Sequence, residues 1–105
     1  MRILAVDYGG KRTGLAVSDE IGITAQGLDT VTADDPDSLS IKIARISGEL
    51  GVSRVIVGLP LNMDGSESEM SADARAFGEK LAVLTGLPVV YWDERLTSRQ
   101  AQRVL

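Results

Sequence analysis

The chain contains neither histidine nor cysteine among its 105 residues. These absences exclude Ser-His and Cys-His nucleophilic schemes, zinc fingers and disulfide scaffolds. The chemistry that remains belongs to oxygen ligands. Carboxylates and backbone carbonyls suit hard divalent cations, so we expect any metal cofactor of this chain to be Mg²⁺ or Mn²⁺.

Long apolar runs are missing as well. No stretch approaches the roughly 20 apolar residues that span a bilayer, and the first residues do not resemble a secretion signal. We therefore expect a cytoplasmic protein with no membrane partner. A chain of 105 residues with 44% hydrophobic composition can form one domain with a buried core. The formal net charge of -4 excludes a surface coated with basic residues but allows a local basic patch.

Two apolar runs each deliver acidic residues into a loop. Residues 3–6 precede Asp7 and a glycine turn, and residues 89–92 precede Asp93 and Glu94. Short apolar runs of this kind are typical of buried strands, where an ionisable group is costly without a partner or a task. Close carboxylates share a proton or recruit a cation. The sequence therefore predicts a divalent-metal site at these strand ends. Because side chains alternate along a strand, Asp93 and Glu94 should face opposite sides of the sheet.

The remaining pattern predicts an α/β fold. A strand at about 2–7 turns so quickly into one at 12–18 that the two must pair antiparallel, and a third strand lies within 27–33. The later elements are a helix over 39–50 ended by Gly51, a strand at 55–57, a helix entered through a capping box at 66–69, a fifth strand, and a last helix from near Thr97. We expect Trp92 and the helix residues Met70, Phe77, Leu81 and Leu84 in the core.

Crossover helices make the later strands parallel, which predicts a mixed five-stranded sheet flanked by helices on both faces. Binding sites on such sheets gather beyond the carboxyl ends of the parallel strands. Asp7, the loop 58–65 and the pair Asp93-Glu94 all fall at such ends. The sequence therefore predicts that three polar segments converge on one edge of the sheet.

Three motifs along the whole chain resemble those of the YqgF family, also called RuvX. They are Asp7-Tyr8-Gly9-Gly10-Lys11-Arg12-Thr13-Gly14, Gly58-Leu59-Pro60-Leu61-Asn62-Met63-Asp64-Gly65 and Asp93-Glu94-Arg95-Leu96-Thr97-Ser98. The resemblance implies an RNase H-like fold related to Holliday junction resolvases, and a nuclease that matures the 5′ end of pre-16S ribosomal RNA. It also implies catalytic acids at Asp7 and at Asp93 or Glu94, with Asp7 and Glu94 preferred as metal ligands because relatives of the fold place a glutamate there.

Polar residues beside these acids are candidates for substrate binding. They are Tyr8, Gly9, Lys11, Arg12, Asn62, Asp64, Arg95 and Arg99. Backbone amides of the glycine turn and its two cations could hold phosphates, while Asn62 and Asp64 could orient substrate or metal-bound water. The alternatives stay open: Tyr8 packs in the core, Asn62 and Asp64 only shape a turn, and the arginines are solvated helix charges.

Several functional alternatives follow from the same residues. Two metal ions held by carboxylates can drive in-line phosphodiester cleavage without a side-chain nucleophile, and the substrate is pre-rRNA or branched DNA, cut by a monomer or a homodimer.

A third acid of the family is expected beyond Leu105, since the chain stops in a predicted helix without a stop signal. Residues 1–105 are therefore expected to be a single nuclease domain lacking a C-terminal segment. A non-catalytic assembly factor with the same fold is a further alternative. A sugar-kinase-type phosphotransferase would need two such domains.

Overall fold

The computed structural model of the chain describes residues 2–9, 12–18 and 25–94. Within these ranges the elements are β1 Ile3–Asp7, β2 Arg12–Ser18, β3 Ala25–Thr32, α1 Pro36–Leu50, β4 Arg54–Leu59, α2 Glu69–Thr85 and β5 Val89–Asp93. This order confirms the predicted α/β class. The last helix, expected from near Thr97, lies outside the described residues.

The five strands form one mixed sheet in the order β3-β2-β1-β4-β5. β1 pairs antiparallel with β2 and parallel with β4, and β4 pairs parallel with β5. Asp7 therefore stands opposite Gly14 on β2, while Leu59 stands opposite Asp93. The carboxyl ends of the three parallel strands meet at one edge, which we call the carboxyl edge.

Both helices pack on the same face of the sheet. The core contains side chains from alternate strand positions and from one stripe of each helix: Leu4, Val6, Val55, Val57, Leu39, Ile43, Phe77 and Leu81. Burial of a side chain of this size contributes about 1.5–3 kcal/mol. None of the helices in the described ranges is long and apolar enough to cross a membrane.

Local capping fixes where the helices begin and end. The Asp35 carboxylate caps α1 by accepting from the backbone N–H of Ser38 at 2.8 Å, and Gly51 ends the helix with a φ of 66°. Ser68 caps α2 in a reciprocal pair with Ser71. The prediction of a capping box at 66–69 was therefore wrong by two residues.

The prediction for the core face of α2 was wrong at its two outer positions. Met70 is 41% exposed and Leu84 is 51% exposed, and the buried stripe instead runs through Ser71, Ala74, Phe77, Gly78 and Leu81. Small residues complete this stripe because α2 lies close to β5. A Cβ on Gly78 would stand only 2.5 Å from the hydroxyl oxygen of Tyr91.

The prediction that Trp92 is a core residue was also wrong. Tyr91 points toward α2, so strand alternation places Trp92 on the opposite face, where it is 39% exposed. The described residues supply helices for the first face only. We expected helices on both faces, and the described part of the chain leaves Trp92 and its neighbours on an open face of the sheet.

Candidate active site

The side chains of Asp7 and Glu94 meet at the carboxyl edge. Asp7 is the last residue of β1 and Glu94 directly follows β5, with β4 between the two strands. Both side chains line the same cleft, and Asp7 lies close enough to Glu94 to raise its pKa. The structure therefore brings together two acids that lie 87 residues apart in the chain (94 minus 7).

Glu94 holds its proton unusually strongly. Burial is the largest cause, and together with the hydrogen bond to Asp7 and the negative charge of Asp7 it raises the pKa of this carboxyl to about 7. Near neutral pH the pair carries a proton that a divalent cation could replace, because either one offsets the repulsion between two carboxylates.

Gly58 makes room for the Glu94 carboxyl group. A Cβ at this position would lie 2.5 Å from Oε1 of Glu94 and 3.1 Å from its Cδ. The sequence placed Gly58 at the start of a loop, whereas it lies inside β4 opposite Trp92. Glycine inside a strand marks a close approach of another group. Gly58 in the second motif was therefore a sequence signal for the approach of Glu94.

A cleft of about 650 Å³ opens beside the acid pair on the uncovered face of the sheet. Its lining is mostly apolar and small: Ala5, Val6, Asp7, Gly14, Leu15, Ala16, Ile56, Gly58, Trp92 and Glu94. Sequence reasoning missed Trp92 as a site residue. Its position two residues before Glu94 on an alternating strand could have revealed it.

Asp93 occupies a different position from Glu94. It lies opposite Leu59 in the sheet register and two residues after Tyr91, on the side of the sheet that packs against α2. The cleft lining includes Glu94 but not Asp93. Of the two adjacent acids, Glu94 is the one that the structure places against Asp7.

Asn62 and Asp64 form hydrogen bonds within their own loop. The Asn62 amide donates to Ser66 Oγ at 3.0 Å and to the carbonyl oxygen of Glu67 at 3.1 Å. Asp64 accepts from the backbone N–H of Ser66 at 2.9 Å and from its hydroxyl at 2.6 Å. These contacts correspond to the alternative interpretation, in which the two side chains shape a turn.

The first motif contains both a buried residue and exposed residues. Tyr8 is buried and stacks on Phe77 with ring centroids 4.9 Å apart, which places its ring in the core. A Cβ on Gly9 would clash with the carbonyl oxygen of Arg12, so the turn requires glycine there. Arg12 is exposed. Lys11, Arg95 and Arg99 lie outside the described residues.

The donor set of this site fits a hard divalent cation. Asp7 and Glu94 offer carboxylate oxygens only, and across residues 2–9, 12–18 and 25–94 no group of three or more acidic side chains gathers. Mg²⁺ is commonly bound through one or two protein carboxylates, with waters and substrate phosphates supplying the other ligands. The pair can therefore hold such an ion together with a phosphate-bearing substrate.

The mixed sheet with acids at its carboxyl edge defines the class of RNase H-like folds. The RuvX family, described as Holliday junction resolvase, matches residues 1–105, and this chain belongs to that family. A protein from Agathobacter rectalis named "Putative pre-16S rRNA nuclease" is 47% identical over 98% of this chain and 74% of its own length. A relative of the same name from Pelotomaculum thermopropionicum is 43% identical over the whole chain and 69% of its own length. The family prediction made from the three motifs is confirmed.

Solved structures confirm the fold. RuvC from T. thermophilus in complex with a Holliday junction substrate superimposes with a TM-score of 0.65 at 15% identity, over 89% of this chain and 64% of RuvC. The fowlpox virus Holliday junction resolvase gives 0.54 at 18% identity, over 89% of this chain and 62% of the viral protein. A ROK hexokinase from Thermus thermophilus gives 0.55 at 20% identity but only 34% of that enzyme is covered. At such identities the likeness concerns the fold, and this chain spans less than two thirds of each of these proteins.

Proposed function

We propose that this chain is a metal-dependent endonuclease that processes the 5′ end of pre-16S ribosomal RNA. The observation that supports this most directly is the Asp7–Glu94 pair at the carboxyl edge, beside a cleft open to a large substrate. The named relatives at 43–47% identity support the choice of RNA.

In this proposal Asp7 and Glu94 hold the catalytic cation. Mg²⁺ or Mn²⁺ bound there would supply an activated water and stabilise the leaving oxygen of an in-line displacement. The backbone ladder of β1 fixes Asp7, and the space left by Gly58 lets Glu94 reach it. A cation bound there would displace the proton of Glu94, so that both acids would serve as charged ligands. The reaction needs no side-chain nucleophile.

We further propose that residues 1–105 belong to one RNase H-like nuclease domain and that a third carboxylate from outside the described residues completes the metal site. The support is that two acids alone are gathered within those residues, whereas a two-metal site needs more oxygen ligands. A nuclease acting on ribosomal RNA precursors would work in the cytoplasm, which is the location that we propose.

The second candidate function is cleavage of branched DNA, which the description of the RuvX family and the likeness to RuvC favour. Symmetric cleavage of a four-way junction needs two sites related by a two-fold axis, so this function predicts a homodimer. Cleavage of a single RNA strand is compatible with a monomer. Sedimentation of the protein alone and with each substrate separates these cases.

The decisive experiment compares Asp7→Asn, Glu94→Gln and Asp93→Asn with the wild-type protein. Each change removes one carboxylate, but Asp93 lies on the other side of the sheet and serves as the matched control. Labelled pre-16S RNA and a four-way DNA junction are incubated with Mg²⁺, Mn²⁺ or chelator. We expect metal-dependent RNA cleavage that Asp7→Asn and Glu94→Gln abolish and Asp93→Asn retains. Cleavage that survives both of the first two changes would contradict the proposed site, and binding without any cleavage would support the non-catalytic assembly factor.

A further inference from the structure

A second cleft, with a polar lining, lies on the same edge of the sheet as the acid pair. It has a volume of about 510 Å³ and is lined by Arg12, Thr32, Ala33, Asp34, Ser38 and Lys42. These residues come from the start of β2, the end of β3 and the first turns of α1. We call it the β3–α1 cleft.

Two cations face this cleft, and neither has an acidic partner among the residues that the structure describes. The Lys42 ammonium donates to the carbonyl oxygen of Thr32 at 2.8 Å, which fixes its position and leaves two N–H groups for another acceptor. Arg12 stands directly opposite Thr32 in the register of β2 and β3. Within the described ranges neither Arg12 nor Lys42 forms an ion pair, whereas Arg75 and Lys80 are each paired with a carboxylate.

The acids around the cleft only partly offset these charges. Asp35 turns its carboxylate into the cap of α1, where Ser38 donates to it through both its backbone N–H and its hydroxyl. These bonds lower the pKa of Asp35 and occupy the donors of Ser38. Asp34 is the acid that lines the cleft itself. Two cations against one lining carboxylate leave the cleft suited to an anion with one negative charge, such as a phosphodiester.

The distance from the acid pair suits a contact on the same nucleic acid strand. Gly14 lies opposite Asp7, and Arg12 precedes it by two residues on β2. With a strand rise of about 3.4 Å per residue and a strand spacing of about 4.8 Å, the Cα atoms of Arg12 and Asp7 are roughly 8 Å apart. Successive phosphates of one strand are farther apart than the axial rise of about 3.4 Å per nucleotide in a duplex, so this distance corresponds to about one nucleotide step.

We propose that Arg12 and Lys42 bind a backbone phosphate of the substrate strand close to the bond that is cleaved at Asp7 and Glu94. The proposal rests on the proposed nuclease function and adds a positioning site to it. A phosphate contact fixes the register of the strand without reading its sequence. Arg12 was a candidate from the sequence, but Lys42 and the β3–α1 cleft were not.

The test measures binding of a short single-stranded RNA in an Asp7→Asn background, so that nothing is cleaved, between about 50 and 200 mM salt. Arg12→Ala and Lys42→Ala should each weaken binding severalfold and reduce the slope of log K against log salt by about 0.7, the value for one lost phosphate contact on a single strand. Lys42→Arg should restore the slope, and Asp34→Asn should tighten binding. Arg54→Ala is the matched control, because Arg54 begins β4 at the opposite edge.

Equal slopes for Lys42→Ala and Arg54→Ala would overturn the proposal. Lys42→Ala removes the Lys42–Thr32 bond, so thermal midpoints are measured to detect a variant that unfolds. If Lys42→Ala unfolds, the salt slopes of Arg12→Ala and Asp34→Asn, which retain that bond, decide whether the cleft binds a phosphate. Cleavage is assayed separately in proteins that retain Asp7. If the wild-type protein cleaves but Arg12→Ala and Lys42→Ala leave the salt slope unchanged, only the phosphate contact is rejected. If these variants shift the slope but the wild-type protein does not cleave, only the nuclease function is rejected.

Discussion

Replacing Glu94 with glutamine should remove a distinctive pH dependence of stability. In the metal-free protein, burial and then the neighbouring Asp7 raise the pKa of Glu94 from 4.5 to about 7. Between these pH values the unfolded chain releases a proton that the folded protein keeps. The contribution of Glu94 to the free energy of unfolding should therefore be highest below about pH 4.5 and fall until about pH 7, the direction expected for a carboxyl group whose folded-state pKa is raised.

The size of this effect follows from the pKa shift with a discount for solvent. Each pKa unit corresponds to about 1.4 kcal/mol, so full expression of the shift would change the stability by roughly 3 kcal/mol. Glu94 is only partly buried and its pair borders an open cleft, so water screens the interaction. We expect the contribution of Glu94 to the loss of stability between pH 4.5 and 7 to be about 1 kcal/mol.

Denaturant unfolding of wild-type and Glu94→Gln protein in chelator, at intervals from pH 4 to 8, measures this difference directly. The two curves should diverge below pH 7, with the wild type gaining stability relative to the variant as the pH falls. Asp93→Asn is the control and should keep the wild-type divergence. Parallel curves for the wild type and Glu94→Gln would show that the carboxyl group is solvated in the folded protein, and the reasoning for a proton-sharing pair would be refuted.

Three further predictions concern the same edge. Asp7→Asn should leave the protein folded and equally or slightly more stable while abolishing metal-dependent cleavage, which thermal midpoints and cleavage rates will show. Gly58→Ala should displace the Glu94 carboxyl group and weaken Mg²⁺ binding in calorimetry, with a loss of stability below about 1 kcal/mol because that side chain can move. Extending the chain beyond Leu105 with the corresponding C-terminal part of the A. rectalis relative should strengthen Mg²⁺ binding and cleavage; unchanged values would show that no acid from that part joins the metal site.

Local patterns predicted the elements of this fold more closely than their packing. The second strand has the predicted bounds, and α1 ends at Gly51 as predicted, because cross-strand turns and left-handed helix caps are determined by neighbouring residues. Met70 was assigned to the core from its helical spacing, and Trp92 belongs to the apolar run of β5. Their exposure depends on which faces the other elements cover, and that information lies in contacts between distant parts of the chain.

The candidate site was likewise predicted in its local features but not in its tertiary contacts. Strand ends predicted that Asp7 would meet one of two adjacent acids, and alternation predicted that these two would face opposite sides. The register between β4 and β5, together with the space at Gly58, decides for Glu94. Lys42 could not be found from the sequence, because it reaches the site only through its contact with Thr32, ten residues earlier in the chain.

The acid pair also bears on the proposal that this site binds a cation. Two exposed acids in the described residues have basic partners, Asp37 in Lys80 and Glu67 in Arg75, each at 2.6 Å. The causes that shift the pKa of Glu94 are instead burial and a second carboxyl group. Such a pair destabilises the fold unless it binds a proton or a metal ion, and both compete for the same oxygens. Stabilisation by Mg²⁺ in thermal unfolding should therefore be larger above pH 7 than below pH 5, and an equal gain at both pH values would place the ion elsewhere.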